Sequence, residues 1–274
     1  MQDMPNAIYQ LHQGSSPLLI SMPHVGTLLP EELRSSYSPV GLQVDDTDWH
    51  IAELYDFAAD LGASVIRPFH SRYVIDLNRP ADGQSLYPGQ NTTGLCPLTT
   101  FDNLPLYRDG CEPDATEIAR RLQRYWHPYH AALQAELARL KSLHGYALLW
   151  DAHSIRSVIP HLFDGELPVF NFGTASGAAC APGVGEDLLA LAQQLAPHSP
   201  AVLNGRFKGG YITRHYGQPA QQVYAIQLEL AQRSYMQEQS PYALQAALAE
   251  QVRPVLAQLV RRFMAFRPAA AGAI

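Results

Sequence analysis

The chain has 274 residues, 47 % of them apolar and 16 % charged, with a formal net charge of −6. That length gives room for a sizeable core in one large domain or two small ones, and the balance excludes an intrinsically disordered chain. With 19 Lys and Arg against 25 Asp and Glu, and no basic block, nucleic acid is not expected as a partner.

Cys96, Cys111 and Cys180 are three, an odd number, and form neither a disulfide framework nor a Cys-x-x-Cys zinc pair. MQDMPNAIYQ lacks the basic and apolar segments of a secretory signal, and no run reaches the roughly 18 apolar residues of a membrane span. A soluble cytoplasmic protein with no membrane partner is expected. Arginine outnumbers lysine 17 to two, so only arginines inside motifs carry functional weight.

In chain order, SPLLISM reads as a strand and TDWHIAELYDFAADLG as an amphipathic helix ending at Gly62. ASVIRPF and SRYVIDL follow as strands. Residues 79–110 are rich in Pro, Gly, Asn and Thr, and a loop that long predicts a lid or a pocket wall. Asp114 caps a helical region to about Leu143 that is interrupted near Pro128. GYALLWDAH is the clearest central strand, LPVFNFGT another, VGEDLLALAQQLA a helix and YAIQLEL a late strand. A final helix spans about Pro241 to Phe266, with a kink at Pro254. No repeat or linker divides the chain. The alternation predicts a single α/β domain over 1–274, with a mostly parallel mixed sheet flanked by helices.

The chemistry gathers at strand ends. His24 follows LLISMP, and His153 ends GYALLWDAH beside Asp151 and Ser154. Ligands bind outside the carboxyl ends of strands in open α/β sheets, so both histidines stand where a site is expected. In PHVGT, Gly26 is read as a sharp turn beneath a ligand. Asp151 is read as a buried carboxylate that orients the His153 imidazole. A catalytic zinc takes three protein ligands and keeps a fourth position for water. The third ligand is sought in VDDTDWH: Asp48 is the choice, Asp45 the reserve, His50 remains open, and Asp46 is read as a helix N-cap. Glu229, the one glutamate in an apolar strand, is the candidate general base. Arg72, at the start of SRYVIDL, joins it in the catalytic group. Asn78, Arg79, Arg156 and Arg214 are candidate substrate-binding residues, since guanidinium groups clamp carboxylates by paired hydrogen bonds. His127 and His130 share a helical face and are read as surface residues. His70 and His215 are kept as outer partners of the site. Gly-x-Ser-x-Gly, P-loop, Gly-x-Gly-x-x-Gly and His-Glu-x-x-His motifs are absent.

The strings SMPHVGTLLP, DDTDWHIAELYDFA, SRYVIDLNRP, PGQNTTGLCP, DAHSIRS, FNFGT, GRFKGGYITRHYG and QLELAQRSYM resemble the N-formylglutamate amidohydrolase family over about residues 17–237. The resemblance implies a zinc carboxypeptidase/phosphorylase-hydrolase-like fold and one Zn2+ per chain. It also implies hydrolysis of the small molecule N-formyl-L-glutamate to formate and L-glutamate, the last step of a histidine-degradation route. Carried over, His24 and His153 become ligands and Glu229 the base, while Asn78 and Arg79 hold a substrate carboxylate. Zinc carboxypeptidases and aspartoacylases carry Glu three residues after the first His, but Thr27 stands there in this sequence. The third ligand is therefore drawn from elsewhere.

Three rival readings stay in view. DAHSI also resembles the core of manganese ureohydrolases acting on formiminoglutamate, which need two metals. A zinc amidase for another N-acyl amino acid, or a carboxypeptidase, is the second. A non-catalytic binder of an acidic metabolite is the third.

Overall fold

The computed structural model describes residues 7–86, 89 and 91–268. Strand β1 (Tyr9–His12) and strand β2 (Leu18–Ser21) precede the short helices α1 (Glu31–Arg34) and α2 (Ile51–Leu54). Then come β3 (Ser64–Pro68), α3 (Ala115–Arg121), a π-helical turn (Leu122–Trp126) and α4 (His127–His144). β4 (Ala147–Ile155), β5 (Phe170–Gly173), α5 (Val184–Leu195), β6 (Ala201–Leu203), α6 (Tyr211–Tyr216), β7 (Val223–Ala231) and α7 (Ala246–Ala265) complete the order.

The sheet runs β1-β3-β2-β4-β7-β5-β6, with β4 at its centre. Four of its six pairings are parallel, and β1 and β5 enter antiparallel, so the expected mostly parallel mixed sheet is what forms. Alternate side chains of each strand point to opposite faces. Leu18, Ile20, Leu148 and Trp150 pack on one face under Leu188 of α5 and Leu256, Leu259 and Phe263 of α7. Leu19, Ala147, Leu149 and Ala225 pack on the other face, against Leu133, Leu137 and Leu140 of α4.

Four elements differ from expectation. SRYVIDL forms no strand: residues 71–78 are all buried in turns. The Arg72–Asp76 ion pair (2.6 Å) and the Ser71 carbonyl, which accepts the Val74 N–H (2.9 Å), fold the segment back on itself. The helix expected up to Gly62 is only α2 followed by a 3₁₀ turn (Asp56–Ala58). It breaks at Tyr55, whose backbone leaves the helical region (ψ 22°) and whose hydroxyl receives the Trp150 indole N–H (2.9 Å). Asp46 caps nothing, because its carboxylate accepts the Phe101 N–H (2.8 Å) across the long loop. The last helix begins at Ala246 and runs on through Pro254. Asp114 does cap α3, accepting the Glu117 N–H (2.8 Å).

Candidate active site

On the α4 side of the sheet, β4 presents Ala147, Leu149, Asp151 and His153 in turn. Its parallel partner β7 presents Val223, Ala225, Gln227 and Glu229 in register with them. Both strands thus change from apolar to polar at the same level, where the cover of α4 ends. β4 and β7 continue to Ile155 and Ala231, so the site lies on the sheet face near the strands' carboxyl ends, not beyond them. His24 comes in from the segment after β2. Gly26 permits a close approach there, since a Cβ would lie 2.2 Å from the His70 carbonyl oxygen. That glycine serves chain packing and is not a turn beneath a ligand.

Asp48 arrives on a tight turn bounded by two non-glycine residues in the left-handed region, Val44 (φ 50°) and His50 (φ 60°). A β-branched residue there is a strained choice, of the kind that clusters at functional sites. The Asp48 N–H donates to the His24 carbonyl (3.0 Å), tying the turn to the end of β2. Asp48 Oδ2 then lies 3.8 Å from His24 Nδ1 and 3.1 Å from His153 Nδ1. One ligand atom from each of these three buried residues falls within 4.8 Å of the others. Asp45 is turned towards Tyr242, and His50 engages Glu53 Oε1 (2.8 Å) and the Tyr242 carbonyl (2.8 Å). Both reserve ligands therefore point elsewhere.

The far side of each imidazole is occupied. His24 Nε2 lies 2.7 Å from Asp76 Oδ1, and His153 Nε2 lies 2.9 Å from Asn78 Nδ2 and 3.2 Å from Asp151 Oδ1. This leaves both Nδ1 atoms facing Asp48. Two imidazoles and a carboxylate, each imidazole backed by a carboxylate, is the donor set of a catalytic zinc with an open position. By donor chemistry and spacing, the residues fit such an ion.

Electrostatics single out Glu229. Burial is the main reason its carboxyl is pushed up to about 8, and Asp48 and Asp151 add to this while His153 and Arg72 oppose it. Among the described residues, its carboxylate accepts one hydrogen bond, the long one from Gln227 Nε2 (3.4 Å). Burial also works against the charge on Asp76, but His24, Arg72 and Arg79 together hold its carboxyl well below the usual range.

The pocket is lined by His24, His153, Glu229, Gln227 and three guanidinium groups, those of Arg72, Arg79 and Arg206. Arg72 donates to Asp76 (2.6 Å) and lies over the Phe101 ring (4.9 Å), and its buried Nε has no partner among the described residues. Arg79 grips Thr93 of the long loop through Nε (2.8 Å) and Nη2 (3.3 Å), and Arg206 Nη2 donates to the Asn91 carbonyl (3.0 Å). That loop is a wall of the pocket through Asn91, Thr92, Thr93 and Phe101.

Several expected residues are placed otherwise. Arg156 does not line the pocket, because its guanidinium turns out to Asp102 (2.8 Å) and towards Asp46 (3.9 Å). Arg214, on α6, donates to the Gly209 carbonyl (2.7 Å) and faces a separate depression with Pro80 and His215. Asn78 lines the pocket, but its oxygen accepts the Ile212 N–H (2.8 Å) while its Nδ2 faces His153. A Cβ on Gly210 would collide with that amide at 2.3 Å, so the glycine lets Asn78 pin the two segments together. His130 is buried, not a surface residue, and His215 stacks on Tyr211 away from the pocket. His70 packs on Tyr125. Arg206 and Asp76 escaped the sequence reading. Asp76 carried a usable signal, a charge inside the apolar run YVIDL. Arg206 stands in the same glycine-rich string as Arg214, and only the fold tells them apart.

Among the described residues, no helix is long and apolar enough to cross a membrane, and one cluster of metal-ligating type occurs. A family model described as N-formylglutamate amidohydrolase matches residues 16–236. A Pseudomonas putida protein named N-formylglutamate deformylase is 52 % identical over 259 residues, covering 94 % of this chain and 96 % of that protein. A protein of the same name from Pseudomonas aeruginosa is 54 % identical, with 94 % and 97 % covered. In fold, the crystal structure of N-formylglutamate amidohydrolase from Ralstonia eutropha JMP134 is similar at a TM-score of 0.78 and 22 % identity, with 94 % and 97 % covered.

Proposed function

Because the chain belongs to the N-formylglutamate amidohydrolase family, we propose that it hydrolyses N-formyl-L-glutamate to formate and L-glutamate at a zinc site of His24, Asp48 and His153. The observation that carries this reading is the His–Asp–His donor set, whose two histidines line the same pocket as Glu229 and three guanidinium groups. Zinc held there would supply Lewis acidity towards the formyl oxygen and acidify an attacking water.

The chain's own residues do the rest. Glu229 takes a proton from the water that attacks the formyl carbon. It returns that proton to the glutamate nitrogen as the carbon–nitrogen bond breaks. Burial raises the proton affinity of this carboxylate above the ordinary range, which suits it to act as a base. Arg72, fixed by Asp76 with its Nε unpartnered, stabilises the negative charge that develops on the formyl oxygen. Arg79 and Arg206, which brace residues 91–93 from two sides, neutralise the two substrate carboxylates. Asp76 and Asp151 orient the two imidazoles, and Asn78 ties its own segment to the loop at 210–212 by accepting the Ile212 N–H.

Formate release tests the reading. N-formyl-L-glutamate, N-acetyl-L-glutamate and N-succinyl-L-glutamate are compared at equal concentration. The formyl compound is expected to turn over fastest by a wide margin. Equal or faster hydrolysis of either larger acyl group contradicts the assignment and favours the rival amidase.

A further inference from the structure

The segment Asp76–Arg79, which carries Asn78 and Arg79 into the pocket, has no sheet partner, so its backbone must find its hydrogen bonds elsewhere. Its four carbonyls are all taken. That of Asp76 accepts the Arg79 N–H (3.2 Å), and that of Asn78 accepts the Tyr211 N–H (3.3 Å). The Leu77 carbonyl accepts from His130 Nε2 (2.9 Å) and the Arg79 carbonyl from Trp126 Nε1 (2.9 Å). A carbonyl can only accept, so His130 carries its proton on Nε2, and its Nδ1 accepts from the Tyr216 hydroxyl (2.9 Å). Just upstream, Arg121 Nη1 donates to the Val74 carbonyl (3.0 Å).

Arg121, Trp126 and His130 thus grip one buried stretch from one side of the α3–α4 rod. Their spacings are five and four residues. In a regular α-helix, residues four apart share a face, while residues five apart diverge by about 140° at 3.6 residues per turn. The π turn Leu122–Trp126 lies across the five-residue gap, and its wider i→i+5 turn brings Arg121 and Trp126 back towards one side. Trp126 then stacks on His130 at 3.8 Å between ring centres, which stiffens both donors.

We propose that Trp126 and His130, aligned with Arg121 by the π turn, are positioning residues that fix the backbone of 77–79 and so aim the Arg79 guanidinium at a substrate carboxylate. This rests on the reading of Arg79 as a carboxylate clamp. It assigns a task to a helix defect and to two aromatic residues that take no part in the chemistry itself. A shift of about 1 Å in a substrate-positioning group is enough to lower efficiency by up to a hundredfold.

The test is a double-mutant cycle on the zinc-loaded full chain, combining Trp126→Phe or His130→Phe with Arg79→Ala. Both Phe variants keep an aromatic ring and remove the N–H, His130→Phe at nearly constant ring size and Trp126→Phe with a smaller ring. Trp126→Phe is expected to raise KM for N-formyl-L-glutamate about tenfold and to weaken calorimetric binding of L-glutamate in parallel, with kcat changed by less than about twofold. Both effects are expected to vanish in the Arg79→Ala background, because the residue acts through that guanidinium. His130→Phe repeats the pattern independently, and thermal melting confirms that each variant is folded. A fall in kcat at unchanged KM, an effect that adds in full to that of Arg79→Ala, or no change in KM overturns the inference. Absence of formate release by the unaltered chain is a different failure and sinks the functional reading instead.

Discussion

Leu228 and Glu229 are neighbours in β7 and face opposite sides of the sheet. Leu228 packs with Leu148, Trp150, Ile226 and Leu230 against α5 and α7, on a face that stays apolar from Leu148 to Ala152 and from Ile226 to Leu230. Glu229 lies on the α4 side, beside His153, where the same two strands turn polar at Asp151, His153, Gln227 and Glu229. One face maximises burial. The other accepts buried charges that the fold does not fully satisfy, which is how a site is kept reactive at the expense of stability.

The largest expected effect is on turnover. Glu229→Gln is expected to lower kcat by about 10²–10⁴-fold, the range for a lost general base, while zinc content measured by atomic emission stays at one per chain. Near-normal kcat in that variant breaks the comparison at its reactive end. One position away, Leu228→Ala is expected to cost about 2–5 kcal/mol of stability by denaturant melting, with kcat of the folded fraction unchanged.

Next in size is the support of the imidazoles. Asp76→Asn keeps the shape but removes the charge behind His24, and zinc affinity is expected to fall about 10–100-fold in a competition titration. Unchanged affinity shows that Asp76 serves Arg72 alone.

Smaller is a stability effect that depends on pH. In the metal-free chain, the Glu229 carboxyl is pushed up to about 8, against an ordinary value of 4.5. Between those values the unfolded chain gives up this proton and the folded chain keeps it, so stability falls as pH rises through that window. Metal-free Glu229→Gln is therefore expected to melt higher than its parent, by a margin that widens from about pH 4.5 to 8 and then levels off. A margin that shrinks with pH has the wrong sign for this account. Least of all, Arg214→Ala is expected to leave kcat/KM within about twofold, since the residue faces away from the pocket, whereas Arg206→Ala raises KM. The reverse ranking removes Arg206 from the clamp.

The contrast between faces also explains what could be read from the residues. The strands holding Leu18–Ser21, Ala147–Ile155 and Val223–Ala231 are apolar runs, and a polar residue just beyond such a run or inside it stands out. His24, His153 and Glu229 were visible for that reason, and Asp48 followed from the need for a third donor. The misread residues depend on contacts between distant parts of the chain. Arg156 is drawn outwards by Asp102, 54 residues earlier. SRYVIDL has a strand's composition but is folded into turns by its own Arg72–Asp76 pair. Pro128 marks an interruption of the helical pattern but not its form, and the consequence of the π turn appears only when Trp126 and His130 meet the carbonyls of 77–79.

The claim at the centre of this account is that the reactive face works through one cation held by His24, Asp48 and His153. Zinc titrated into chelator-stripped protein, with formate release from N-formyl-L-glutamate followed at each addition, tests it most directly. Activity is predicted to climb from near zero and to saturate at one equivalent per chain, and to stay flat in Asp48→Asn. Full activity in the stripped protein, or an unchanged titration in Asp48→Asn, would contradict it.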